Sequence, residues 1–534
     1  MKAECLRMAE LPHTTRLFAD FLTDSKQVRP FYPYPPASRE WLSERAGELV
    51  YSAARRQEIA DILEAQNQHW GASPEALRQI QRLRAGAGAV VTGQQVSLFG
   101  GPLFSFYKAL TAIKVAEEAS QSGVDCVPIF WLATEDHDVA EISSAALLTP
   151  DGDIGSLMTL PRGPEGRPVS DIQLGEDVAA LVEQGRTMLG DSDVVQALAD
   201  AYRRGVTFGD AFARLYSHLF AEFGVLLIDG ADPHLHQIAS PVYRAAVVGA
   251  ADINDAQRER DRSLEAGGYH QQVKVTPSST LLFWLQDGAR TPIHRSNRHF
   301  VVGEEKLTEA ELLQRITAEP QNFSGNVLLR PVVQDYLLPT LAYVGGPAEV
   351  AYFAQAAVIY EQLLGRVTPV LPRLSATIVE PRVQSLLQKY GISIEDVIRH
   401  DTRLAELLAA RTLPADVAQA FDASSGNLEQ SLAALHAILQ RLDPTLASAA
   451  QKAQSKMRYQ LDRLRARAAR AQLRRTAEVG RHATRLVNSL YPHHNLQERE
   501  IAGISMVARH GAGLLRQIYD HLQPSCPDHQ LFYL

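Results

Sequence analysis

At 534 residues the chain holds about three to four portions of ordinary domain size, which excludes a small stapled scaffold. Its 46% hydrophobic and 21% charged residues place it among folded globular proteins rather than collagenous or disordered ones. Lys+Arg 53 against Asp+Glu 61 gives a net charge of -8, which argues against a chain that coats nucleic acid or anionic membrane. The three cysteines, Cys5, Cys126 and Cys526, are too far apart in sequence for a zinc ribbon or a redox CxxC, so a reducing cytoplasmic setting is expected. No window approaches the roughly 18 uninterrupted apolar residues of a membrane span, and acids interrupt any signal-like N-terminus, so neither membrane insertion nor secretion is expected.

Residues 1–80 read as short helices around the proline-rich turn PFYPYPPAS, a helical segment packing on the core. From residue 81 the pattern changes. Ala89-Val90-Val91 is a short apolar run ending in Thr92-Gly93-Gln94-Gln95, and residues 104–120 then carry helical spacing closed by Gly123. VPIFWLA, residues 127–133, is a continuous apolar run typical of a strand buried on both faces, and it ends in Thr134-Glu135-Asp136-His137-Asp138. Strand, helix and strand within about 45 residues make a βαβ unit. VLLID at 225–229, after a helix near 212–222, and TLAYVGG at 340–346, before a helix at 347–364, extend the alternation. The predicted fold is therefore α/β, a mostly parallel doubly wound sheet spanning residues 81–382, with a hairpin insertion near 281–302 turning at Asp287-Gly288.

Beyond residue 383 the strand signal stops. Leu428, Leu432, Leu435, Leu439, Leu442 and Leu446 form a heptad seam through a helical region at 383–490, and Asp443-Pro444 either starts a second, antiparallel helix or kinks a single one. Between Lys452 and Arg485 there are 11 basic and 2 acidic residues, read chiefly as a solvated helical surface. Tyr491-Pro492-His493-His494 opens a terminal segment, 491–534, expected to return to the core; its histidines read as surface or cap residues.

Ligands of open α/β sheets bind outside the carboxyl ends of the strands. The TGQQ and EDHD clusters occupy two such ends, and parallel strands put both at one edge. Thr92, Gly93, Gln94 and Gln95, with Gly100, Gly101 and Lys108, supply flexible backbone, amides and a cation for an anionic ligand; the alternative is a plain strand-to-helix turn. No P-loop is present, and the Gly86-Ala87-Gly88 pair precedes its strand where a dinucleotide fingerprint would come after it. Glu135, Asp136, His137 and Asp138 could bind an amine or move protons, with helix capping and metal ligation as alternatives. Arg330 and Gln334, then Gly345, Gly346 and Glu349 at the head of another helix, form a third cluster, in which Arg330 clamps a carboxylate or phosphate or else makes a structural salt bridge.

Together VVTGQQVSLFGGPLFSFYKALTAIKVA, VPIFWLATEDHDVAEI, LRPVVQDYLLPTLAYVGGPAEVAYFAQ and LYPHHNLQERE resemble, along the whole chain, the cysteine-adding enzymes of bacillithiol biosynthesis, the BshC family. The resemblance implies a Rossmann-like core with inserted connecting segments, a long α-helical coiled coil, and a homodimer formed through that coiled coil. It also implies amide formation between L-cysteine and the glucosamine amine of glucosaminyl malate. Neither HxGH nor KMSKS occurs, so the activating donor stays open, ATP or another nucleotide being one that the chemistry calls for. On this basis Lys108, Glu135, Asp136, His137 and Asp138 are catalytic candidates and Thr92, Gly93, Gln94, Gln95, Gly100, Gly101, Arg330, Gln334, Gly345, Gly346 and Glu349 are binding candidates, with no metal expected. An amide hydrolase of related thiol conjugates, or a non-catalytic coiled-coil dimer that binds a nucleotide or thiol, are the rival classes.

Overall fold

The computed structural model describes residues 2–159, 166–286, 288–475 and 477–534. The chain forms two compact units: one of Met1–Pro150, Ile154–Thr377 and Glu498–Phe532, the other of Asp151–Asp153, Ile378–Gln497 and Tyr533–Leu534.

In the first unit an edge strand β1 (Lys2–Leu6) is succeeded by helices at Trp41–Glu48, Ala53–His69 and Pro74–Ala85. The last of these starts on proline behind the Ser73 cap, as proline's fixed φ and missing N–H favour. Then come β2 (Gly88–Gln94), α1 (Leu103–Gln121), β3 (Cys126–Leu132), the single turn α2 (Val139–Ile142) and β4 (Leu226–Asp229). All seven residues of β3 are buried, so its apolar run reflects burial on both faces. Between β2 and α1 the chain folds back through Phe99, Gly100 and Gly101, all at positive φ, a path that glycine takes without steric cost.

Residues 279–325 form a lobe larger than the expected hairpin. Strands β5 (Ser279–Gln286), β6 (Ala289–Ser296), β7 (His299–Val302), β8 (Glu305–Thr308) and β9 (Phe323–Gly325) make an antiparallel sheet in the order β8-β7-β6-β5-β9. The register Gln286↔Ala289 is that of a tight hairpin, although Asp287 itself lies outside the described residues. The later strands escape notice in sequence because they are only three or four residues long.

The chain then returns through α3 (Arg330–Leu337), β10 (Thr340–Gly345), α4 (Pro347–Leu364) and β11 (Val370–Pro372). The resulting sheet has the order β11-β10-β2-β3-β4, and every pair is parallel. On one face Trp41 and Leu42 join Ala112, Val115 and Ala116 of α1 over Val90, Leu341 and Val344. On the other side of α1, Phe106 meets Tyr216 and Phe220 in an aromatic cluster.

In the second unit, α5 (Ala415–Leu442) and α6 (Pro444–Arg475) form an antiparallel hairpin that turns at Asp443, settling the choice left open by Asp443-Pro444. The cross-helix pairs Arg465 with Asp422 and Arg458 with Glu429 run in opposite sequence directions, as only antiparallel helices allow. The next helix, α7 (Ala477–Leu490), buries Val479, Ala483 and Leu486. The chain rejoins the first unit at Glu498, whose part includes α8 (Gly503–His510) and most of the closing strand β12 (His529–Tyr533). Among the described residues no helix is long and apolar enough to cross a membrane.

A Cβ placed on Gly503 would lie 2.3 Å from two ring atoms of Phe106, whereas one on Gly47 meets nothing within 4 Å. Gly503→Ala should therefore destabilise by about 1–3 kcal/mol through overpacking, while Gly47→Ala should be neutral or stabilising by up to about 1 kcal/mol. Urea titration of both variants checks the contrast; equal effects would mean that α8 does not pack on α1 as described.

Candidate active site

Parallel register brings the ends of five strands to one edge. Gln94 lies opposite Leu132, Leu132 opposite Asp229, and Gly345 opposite Pro372. A cavity of about 240 Å³ opens there, walled by Gln94, Gln95, Trp131, Arg330, Tyr343 and Glu349 among others. Residues of the TGQQ and GGPAE segments share its wall, whereas the sequence expectation paired TGQQ with EDHD.

Lys108 joins them from the second turn of α1. Its ammonium donates to the Gly93 carbonyl at 2.7 Å and to Gln94 Oε1 at 2.8 Å, and it is ion-paired with Glu349. Glu349 also accepts from the Tyr343 hydroxyl at 2.6 Å and from the Gly346 N–H at 2.7 Å, the latter closing the head of α4. Burial pulls the Lys108 ammonium below its ordinary pKa, and the facing carboxylate opposes that shift. Lys108 is thereby committed to holding β2 and α4 together.

The EDHD residues separate by role. None of the four lines the cavity. Asp136 lies behind its wall, where it accepts from Gln95 Nε2 at 3.4 Å and lies 3.7 Å from both Arg330 and Arg290. Burial alone would raise its pKa, but Arg330 and then Arg290 outweigh it, and the carboxyl sits below its usual range. Arg290 comes from the small lobe, stacks 4.1 Å over the Phe283 ring and donates to Ser324 Oγ and the Gly325 carbonyl. Glu135 turns away toward His236, 3.5 Å distant. Asp138 accepts from the Glu141 N–H and so caps α2, the helix-capping alternative for this cluster. His137 is 41% exposed and is not part of the cavity wall.

Of the remaining candidates, Gly93, Arg330, Gln334 and Gly346 line the cavity. Thr92 instead donates to the Val344 carbonyl, a bond between neighbouring strands. Gly100 and Gly101 lie outside the cavity wall, with their N–H groups directed to the Tyr202 hydroxyl and the Leu98 carbonyl. The first N–H of α1 goes to the Ile501 carbonyl. The helix start at the cavity is therefore that of α4, not that of α1. Gly345 serves through its carbonyl, which accepts from the Arg373 N–H.

Sequence reasoning passed over Glu141, Arg373 and Arg499, all of which line the cavity. Burial, then Asp138 and Asp136, push the Glu141 carboxyl above its usual pKa. Arg373 lies just past β11 and pairs at 2.8 Å with the buried Glu498, which also accepts from Ser375 Oγ and the Ala376 N–H. Ser375 and Thr377 in turn bracket the His529 ring at 2.8 Å each. Burial and the like charge of Arg373 hold the pKa of the Arg499 guanidinium down, and Glu498 and Glu500 oppose that shift. The one available signal was the acid-and-base alternation of LQERE, where no periodic pattern marks which side chain turns inward. Among the described residues no group of three or more His, Cys, Asp or Glu is arranged to hold a metal.

His529 yields a pH test. Burial depresses its pKa to about 4, with Glu498 opposing and Arg373 reinforcing the shift. A folded-state value below the unfolded one near 6.5 means that the unfolded chain takes up the proton first, so stability is lost as pH falls from about 6.5 to 4. The loss should be at most about 3 kcal/mol, and His529→Asn should flatten the slope in that window. Denaturant midpoints at several pH values check this; an unchanged slope in the variant would contradict it.

Residues 1–374 match the N-terminal Rossmann-like domain of bacillithiol-biosynthesis BshC proteins, and residues 376–534 match their C-terminal coiled-coil domain. Three of its relatives named "Putative cysteine ligase BshC" illustrate the likeness. That of Koribacter versatilis is 48% identical over 531 residues, covering 99% of both chains. That of Solibacter usitatus is 36% identical over 549 residues, again with 99% of each. That of Salinibacter ruber is 34% identical over 531 residues, with 96% of this chain and 95% of its own. The chain is a ligase-class enzyme that belongs to the BshC family of bacillithiol biosynthesis.

Proposed function

We propose that the cavity at the carboxyl edge joins the carboxyl of L-cysteine to the amine of glucosaminyl malate, completing bacillithiol. The observation that carries the reading is the company of charges there: Arg330, Arg373 and Arg499 on the wall beside Glu141, whose pKa is raised. Arginine forks suit carboxylates and phosphates, and both the malyl group and an activated cysteine bring such anions. Arg499, desolvated beside the like charge of Arg373, is the guanidinium with most to gain from an incoming carboxylate.

Amide formation requires the attacking amine to lose a proton and the acyl carboxylate to be activated. Glu141 suits the first task, since a carboxylate with a raised pKa accepts a proton better than one held low. Asp136, clamped by two arginines, is the poorer base and instead orients Gln95 and Arg330. The donor that activates cysteine is of the ATP class, and its developing negative charge would fall against the same arginines. This reading moves proton transfer from the EDHD residues, among which the sequence left the base open, to Glu141.

The same reading includes a cytoplasmic homodimer built on the helical hairpin. Leu435, Ile438 and Leu442 of α5, with Met457 and Leu464 of α6, are exposed, Leu442 by 76%, and a second copy of the hairpin would cover them. The cytoplasmic setting fits three unbridged cysteines.

Turnover of cysteine, glucosaminyl malate and ATP, measured by mass spectrometry, should fall by a factor of about 100 to 10,000 in Glu141→Gln with melting unchanged. In His137→Ala it should stay within about a few-fold of the parent. Loss of product in His137→Ala with Glu141→Gln active would reverse the assignment, and hydrolysis of bacillithiol without synthesis would favour the amidase class. Leu435→Glu with Leu442→Glu should convert the dimer to monomer in sedimentation; a parent that is monomeric at micromolar concentration contradicts the assembly.

A further inference from the structure

Two of the three cysteines, 521 residues apart in sequence, lie with their sulfur atoms 3.5 Å from each other. Cys5 is exposed on β1, and Cys526 is half-buried in the turn that leads to β12. Both belong to the first unit, where β1 pairs with β12 at the edge of its sheet. The Asp528 carboxylate beside them accepts from the Met8 N–H, fixing the two segments in register. Neither thiol faces the cavity at the carboxyl edge, so amide formation there does not use them.

We propose that Cys5 and Cys526 are an oxidation site that takes up a low-molecular-weight disulfide and closes into an intramolecular bond between β1 and the turn that leads to β12. The first protein thiolate attacks one sulfur of the small disulfide, forming a mixed disulfide and expelling one small thiol. The second protein thiolate then attacks the protein sulfur of that mixed disulfide and expels the other. The sum is two protein thiols and one small disulfide giving one protein disulfide and two small thiols, so electrons and protons balance. The sulfurs are in van der Waals contact and must approach to about 2.05 Å, a movement open to Cys5 because it is exposed on an edge strand.

Partial desolvation by the segment around Cys526, and then the hydrogen bond with Cys526 itself, push the Cys5 thiol up to about 11 although its side chain is exposed, so little of it is thiolate at neutral pH. The pair is accordingly slow to react when small disulfides are scarce, and its rate should climb with pH. Cys126 is buried within β3 and stays out of reach, which makes it an internal control.

The test is incubation of the full chain with oxidised glutathione over a pH series, then intact mass and non-reducing peptide mapping. The expected product is lighter by two hydrogens, carries a Cys5–Cys526 linked peptide, forms at a rate independent of protein concentration, and gains about tenfold in rate from pH 7 to 8. Cys5→Ser and Cys526→Ser should each stop at one glutathione added to the remaining cysteine, with melting temperatures close to that of the reduced parent. Separate capping of both thiols, cross-links between copies, or no loss of either thiol would overturn the proposal.

Discussion

The site depends on one buried ion pair. Lys108 on α1 and Glu349 at the head of α4 are separated by 241 positions in sequence, yet their charges meet between two neighbouring parallel strands. Isolated, either charge would cost several kcal/mol to bury, so the pair is tolerable only because every partner is in place. Gly93 and Gln94 accept from the ammonium while Tyr343 and Gly346 donate to the carboxylate. The backbone ends of β2 and β10 are thereby fixed to two helices, and the cavity wall acquires a defined shape before any substrate enters.

A second anchor comes from the far end of the chain. Glu498 turns inward to hold Arg373, while its neighbour Arg499 reaches the cavity wall. Adjacent residues thus take different places, Glu498 pairing with Arg373 and Arg499 standing on the cavity wall. The lobe at 279–325 does the same for Asp136 through Arg290, whose guanidinium is fixed to that lobe by Ser324 and Gly325. Three regions remote in sequence therefore set the electrostatics of a single crevice.

How much of this was legible depends on which features leave a periodic trace. The strands β2, β3 and β10 announced themselves as apolar runs ending in polar clusters, and parallel pairing then required those clusters to share an edge. Lys108, Gln94, Arg330 and Glu349 were within reach for that reason. The roles inside EDHD were not, because strand ends give no rule for which of four consecutive side chains turns inward; the structure sets Asp136 behind the wall residues Gln95 and Arg330 and spends Asp138 on a cap. Glu141 lay one turn further on, past the cluster that drew notice. Arg373 and Arg499 depend on tertiary return of the chain, and so does the meeting of Cys5 with Cys526, which no spacing rule could suggest.

The central claim is that Lys108 and Glu349 act as one organising unit rather than as two separate binding groups. A double-mutant cycle with Lys108→Met, Glu349→Gln and the double variant, read by denaturant unfolding, tests it most directly. The account predicts that each single change costs about 3–5 kcal/mol, because it strands the other charge. It also predicts that the double variant is less damaged than the sum of the two by about 1–3 kcal/mol. Additive losses, with no coupling between the two positions, would contradict it.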